Sequence, residues 1–254
     1  MRRTLLVLLA VLAASGCSPL ARVALPGGTA AAAPATRVAL YGDSLAWEAR
    51  SHFTGALAGN SSVTVRTATM GGTALCDWVP HVLAEAERTD LVVISVSGNA
   101  FTPCMRPDGW DPDDDEVVRR YLADAESLMV ALASSGTRVL WTGSPAMGQG
   151  RDRPRRLADG FAALAQRHPN ASYVDTGDSV APGGIYTATL PCLPEEGTAQ
   201  GCTDGRIRVR ADDTSHFCPG DGPADGGVVD GCQGWSSGAV RYGRALADAA
   251  LRNI

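Results

Sequence analysis

The chain has 254 residues, 45% hydrophobic and 19% charged, with a formal net charge of −5. Such a composition is globular and long enough for one sizeable core. The acidic balance gives no electrostatic case for nucleic acid, and no nucleic-acid partner is expected.

Met1-Arg2-Arg3 is a charged n-region, and Thr4 to Ala14 is an apolar stretch too short to span a bilayer as a helix. Residues 1–16 therefore read as a signal peptide, ending in Ala14-Ser15-Gly16-Cys17. This ending resembles the lipobox of bacterial lipoproteins. The resemblance implies that Cys17 is lipidated and becomes the new N-terminus, with an ordinary secretory signal cleaved nearby as the alternative. Losing Arg2 and Arg3 moves the net charge from −5 to −7. No later apolar stretch is long enough to cross a membrane, so membrane contact is expected only through the N-terminal lipid. Residues 17–35, rich in Ala, Pro and Gly, read as a flexible tether. A single domain is expected over 36–254.

The domain opens on Arg37-Val38-Ala39-Leu40-Tyr41-Gly42-Asp43-Ser44-Leu45, a strand that stops at a Gly-Asp turn where a helical pattern begins. Leu45 to Ala58 is expected as a helix, with Trp47 and Phe53 in the core. Val63 to Ala68 is a second strand running into Met70-Gly71-Gly72-Thr73, glycines suited to a close backbone approach. Pro80 to Arg88 is expected as a short helix. Leu91 to Ser95 is a third strand that delivers Ser97-Gly98-Asn99 to an irregular loop. The run Asp111 to Glu116 lacks the spacing of a calcium loop; its acidic residues enrich the first turn of a helix expected over Val117 to Ser134. A fourth strand spans Val139 to Thr142. Arg151 to Arg156 reads as a solvated basic cluster before the helix Leu157 to His168, and Tyr173 to Asp175 is a fifth strand. Residues 176–210 break the rhythm and read as a disulfide-braced insertion placed to shape a substrate cleft. Gly238 to Arg252 closes the chain as a helix.

Five alternations of strand and helix imply a mostly parallel five-stranded sheet with helices on both faces, a three-layer α/β/α fold. Sites in such sheets lie beyond the carboxyl ends of the strands. Ser44, Gly71-Gly72 and Asn99 all fall at such ends.

Cys17 apart, Cys76, Cys104, Cys192, Cys202, Cys218 and Cys232 form an even set in an exported chain. Six cysteines allow 15 pairings, among which sequence does not choose. Pairing of neighbours (76 with 104, 192 with 202, 218 with 232) would brace one long loop each. Metal spacing is absent, so structural zinc is not expected; no cofactor is expected.

A Ser hydroxyl is a weak nucleophile until a base takes its proton. His52, His81 and His168 sit in or beside helices, as packing or surface residues do. His216 differs, because Asp213 precedes it by three residues and i, i+3 side chains lie together in a turn. Asp212 competes less well on that offset. The Ser44 N–H, an N–H of Gly71 or Gly72, and the Asn99 amide are candidate donors to an oxyanion. Trp78 and Trp110 flank two of these loops, where core packing and stacking on a sugar ring are both open.

Together these blocks resemble the SGNH (GDSL-type) hydrolase family: Gly42-Asp43-Ser44-Leu45, Gly72, Asn99 and Asp213-Thr214-Ser215-His216. The resemblance runs from Val38 to the last helix, without a motif to match 176–210. It implies a flavodoxin-like fold and a metal-free Ser-His-Asp acyl hydrolase or acyltransferase, with Ser44 as nucleophile, His216 as base and Asp213 as its partner. The Ser44 and Gly72 N–H groups and Asn99 would hold the oxyanion. Two departures stand out: the third block, usually G-x-N-D, stands here as Ser97-Gly98-Asn99-Ala100, and two glycines compete in the second. The expected activity is ester hydrolysis by a monomer at the cell envelope, on a small acyl ester or an acylated glycan. Acyl transfer to or deacetylation of envelope glycans, and non-catalytic ligand binding by a lipoprotein, are the alternatives.

Overall fold

A strand covered on both faces needs apolar residues along its length, and two segments meet that demand. β1 (Thr36–Gly42) is buried from Val38 onward, and β3 (Leu91–Ser95) is buried throughout. They pair in parallel, with Val38 opposite Leu91 and Gly42 opposite Ser95. β2 (Val63–Thr69) flanks β1, while β4 (Arg138–Thr142) and then β5 (Ala171–Val174) extend the sheet beyond β3. The order is β2-β1-β3-β4-β5 and every pairing is parallel. The outermost strands β2 and β5 carry mostly half-buried residues, as sheet edges do. The computed structural model describes residues 34–109, 111–148, 152–218, 231–232 and 234–254. The signal peptide, Cys17, nearly all of the tether and Trp110 lie outside the described residues.

Successive side chains of a strand point to opposite faces, so each strand feeds two layers. Ala39, Tyr41, Val92, Ile94, Val139 and Trp141 face one layer, with Trp78 and Val82 of α2 (Leu75–Glu85), Tyr121 and Leu128 of α3 (Asp114–Leu132) and Phe161 of α4 (Arg153–Arg167). Val38, Leu40, Leu91, Val93 and Leu140 face the other, against Phe53 and Leu57 of α1 (Ser44–Ala58) and Tyr242 and Leu246 of α5 (Ser237–Leu251). This is the three-layer α/β/α arrangement expected from the alternation, with a sheet that is parallel throughout rather than mostly so.

Helix starts differ most from expectation. α2 begins at Leu75 and runs through Pro80 rather than starting there. The Asp77 carboxylate accepts the Ala74 N–H at 2.8 Å, which caps the true start. Pro80 removes one helical hydrogen bond and costs about 3 kcal/mol. Burying Leu75, Trp78 and Val82 contributes about 1.5–3 kcal/mol for each side chain, so packing wins. α3 begins at Asp114, capped by Asp113, whose carboxylate accepts the Glu116 N–H at 2.8 Å. α4 begins at Arg153, which draws part of the basic cluster into the helix.

Disulfides join Cys76 to Cys104, Cys192 to Cys202 and Cys218 to Cys232. The second braces the insertion, where β6 (Thr189–Pro191) and β7 (Arg206–Arg208) pair antiparallel. This insertion leans on α5: Arg241 donates to the Pro191 carbonyl at 2.6 Å, and Arg244 pairs with Glu195. Contrary to expectation, none of its residues lines the pocket at Ser44.

Candidate active site

In a sheet ordered β2-β1-β3-β4-β5, connections leave β1 and β3 in opposite directions, and a crevice opens between their carboxyl ends. The chain narrows there at Gly42. A Cβ on Gly42 would stand 2.3 Å from the Ser95 carbonyl oxygen and 2.4 Å from the Ala46 Cβ. Only glycine allows the end of β1, the end of β3 and the first turn of α1 to meet so closely. Asp43 then caps α1, accepting the Leu45 N–H at 3.1 Å, and Ser44 is the first residue of the helix. Its N–H is among those a helix start leaves without an intrahelical acceptor.

His216 arrives from the far end of the chain. Its Nε2 lies 2.9 Å from Ser44 Oγ, and its Nδ1 is hydrogen-bonded to Asp213 Oδ2. The other oxygen of Asp213 accepts the backbone N–H groups of Ser215 and His216, each at 2.9 Å. The turn between them is tight, with Thr214 at φ 63°, a left-handed conformation rare for a β-branched residue. Asp212, the competing carboxylate, pairs instead with Arg208.

Charges around the ring set its proton affinity. Burial works against the imidazolium, but the hydrogen bond to Asp213 and the charges of Glu48, Asp213 and Asp43 together raise His216 above its ordinary value. Burial also disfavours ionised Asp213, yet its bonds from His216 and Ser215 hold that carboxyl below the usual range. Asp43 is fully buried, and burial pushes its carboxyl up against the donors from Ser97 and Leu45.

Asn99 lines the same pocket as Ser44 and His216. Its Nδ2 donates to Asp43 Oδ2 at 3.2 Å, and its carbonyl accepts from the Tyr121 hydroxyl at 2.8 Å. An amide nitrogen has two donor hydrogens, and the second meets no acceptor among the described residues. Of the two glycines, Gly71 lies nearer Ser44: a Cβ there would stand 3.7 Å from the Ser44 Cβ. Gly72 takes the left-handed φ of 77° and lies over Phe101.

The pocket encloses about 170 Å³ and is also walled by Phe101, Met147 and Arg153. Sequence patterns missed all three, since none belongs to a motif. Arg153, read as part of a solvated cluster, donates instead to the Gly98 carbonyl at 2.7 Å and pairs with Asp114. Phe101 is 66% exposed, with the Arg106 guanidinium 5.4 Å from its ring centre. Trp78 does not reach the pocket. It is 8% exposed, packed 5.9 Å from the Tyr41 ring, and its indole donates to Thr73 at 3.1 Å.

A family model described as "Protein of unknown function (DUF459)" matches residues 37–222. No curated protein matches the chain. Among solved structures, the catalytic domain of Streptococcus pneumoniae peptidoglycan O-acetyltransferase A is 15% identical, with 87% of this chain and 93% of that one covered at a TM-score of 0.51. A G-D-S-L family protein from Desulfitobacterium hafniense is 12% identical over 86% of this chain and 99% of its own, TM-score 0.53. LAE5, an alpha/beta hydrolase enzyme from the metagenome of Lake Arreo in Spain, is 13% identical over 87% and 95%, TM-score 0.52. At these identities the likeness is one of fold, and the fold is that of SGNH hydrolases.

Proposed function

We propose that this chain, which belongs to the DUF459 family, is a serine acyl hydrolase that cleaves carboxylic esters outside the cytoplasm. One observation carries the proposal: the continuous hydrogen-bonded path from Ser44 Oγ through the His216 ring to Asp213. In that path His216 Nε2 takes the hydroxyl proton while Nδ1–H stays on Asp213. Ser44 Oγ attacks the ester carbonyl, and His216 returns the proton to the departing alkoxide. Water, deprotonated by the same imidazole, then releases the acid from the acyl-enzyme. The Ser44 N–H, the free Asn99 N–H and a backbone N–H of Gly71 or Gly72 serve the oxyanion. The closeness of Gly71 to Ser44 favours that glycine over Gly72 as the nearer donor.

A pocket of about 170 Å³ is smaller than those that enclose drug-sized ligands, which supports a short acyl group. The exposed Phe101 ring at its mouth supports a second reading, in which a sugar hydroxyl replaces water as acceptor. Three disulfides support an exported protein, because such bonds persist in oxidising compartments. Lipidation at Cys17 and action as a monomer complete the proposal.

The test is Ser44→Ala on a short p-nitrophenyl ester, with fluorophosphonate labelling of the parent. Turnover in the folded variant should fall by roughly 10⁴ or more, and label should appear on Ser44. Unchanged turnover rejects the nucleophile. Acetate released free, as against acetate found on an oligosaccharide, separates hydrolysis from transfer.

A further inference from the structure

The residue after His216 is held by the helix that begins with Ser44. Phe217 N–H donates to Glu48 Oε2 at 2.7 Å, and Cys218 N–H bonds the same carboxylate. Glu48 is 6% exposed and stands four residues after Ser44 on α1, so the two share one helix face. The residue before His216 is held as well. Arg210, 1% exposed, donates to the Ser215 carbonyl at 2.9 Å and to that of Ala146 at 2.6 Å. Its guanidinium lies 5.2 Å from the Phe217 ring centre. His216 thus sits between two peptides, each gripped by a buried charge of opposite sign.

Holding a backbone N–H does not require a charge, since a neutral amide oxygen accepts it too. Burying a carboxylate is costly unless something repays it. The imidazolium formed when His216 takes the Ser44 proton is such a charge. We propose that Glu48 is a positioning residue for His216 that also stabilises its protonated ring, an inference that rests on the Ser44–His216 chemistry above. Other charges face the ring too: Asp213 from its own turn and Asp43 from the β1–α1 junction, with Arg153 of α4 in the same pocket. Asp213 is half exposed and screened by solvent, whereas Glu48 is not. Glu48 in turn faces His216, Asp213 and Arg210. Burial lifts its carboxyl and lowers Arg210 to about 10, and the charge of Glu48 is among those that raise Arg210 again.

The experiment is an NMR titration of the His216 ring in the parent, Glu48→Gln and Glu48→Asp, with His216→Asn to assign the resonance. Glutamine keeps an acceptor for Phe217 N–H and removes the charge. The His216 midpoint should then fall by roughly one pH unit, and the acid limb of kcat/KM should move with it. Aspartate keeps the charge on a stem too short for Phe217; its midpoint should stay near the parent's while kcat drops about tenfold at unchanged KM. Superimposable titrations in parent and Glu48→Gln overturn the proposal. Should Glu48→Gln not fold, an unaltered kcat in Glu48→Asp overturns it. The titration needs no turnover, so a shifted midpoint in a protein without esterase activity would reject the esterase and uphold the coupling.

Discussion

Asp43 and Ser97, 54 residues apart, are joined twice: the Ser97 N–H and hydroxyl both reach Asp43 Oδ2, at 2.6 and 2.5 Å. Asn99 adds a third donor to the same oxygen. Asp43 therefore does more than precede Ser44. It caps the helix of Ser44 and fixes the loop that carries Asn99, so the Ser44 hydroxyl and the Asn99 amide are set by one buried carboxylate. The Ser that replaces the usual first residue of G-x-N-D is accounted for by this bond.

Ser97→Ala removes the hydroxyl donor from a buried charged acceptor. The loss should be about 1.5–3 kcal/mol in urea unfolding, the range for hydrogen bonds to charged groups. Because the Asn99 loop loosens with it, kcat for a short ester should fall more than KM changes. A variant as stable and active as the parent would remove Asp43 from its organising position.

The pH dependence follows from the direction of the His216 shift. Only neutral imidazole accepts the Ser44 proton, and the folded ring binds its own proton more tightly than the ordinary value of 6.5. The acid limb of kcat/KM should therefore have its midpoint above 6.5. Stability runs the other way: the contribution of this raised group is complete below the unfolded value and is lost as pH rises through the folded one. Asp213→Asn removes the partner that raises the ring, and its acid limb should move down while kcat falls by roughly 10²–10⁴. A midpoint unmoved by that change would mean that Asp213 does not govern the ring.

Cys76 follows the Gly71-Gly72 turn and Cys104 follows Asn99, so their bond ties together the two loops proposed to supply oxyanion donors. It closes a span of 28 residues, for which chain entropy predicts about 3–4 kcal/mol. Replacing both cysteines by serine should lower the thermal midpoint and reduce kcat, without emptying the core on either side of the sheet. Full activity in the double variant would separate the oxyanion donors from this bond.

Much of the fold was legible because it rests on local patterns. Runs such as Leu91 to Ser95 can only be covered strands, and their alternation with amphipathic helices leaves few architectures. Helix starts were less legible: α2 runs through Pro80 because burial of Trp78 and Val82 outweighs a lost hydrogen bond, a balance that only packing reveals. Of the candidate site, Ser44, Asp213 and His216 stood out by motif and offset. Phe101, Arg153 and Glu48 did not, because each earns its position from a neighbour distant in the chain.

The sequence by itself determined a mostly parallel α/β sheet, a Ser at the turn after its first strand, and a carboxylate three residues before a His. Those are properties of period, turn chemistry and short offsets, which a linear chain carries within a few residues. Tertiary structure alone decided which glycine stands nearer Ser44, which carboxylate grips Phe217 and which side chains wall the pocket. Such contacts span from 27 residues, Ser44 to Gly71, to 169, Glu48 to Phe217. They depend on how layers stack, and that information exists only once the chain has folded.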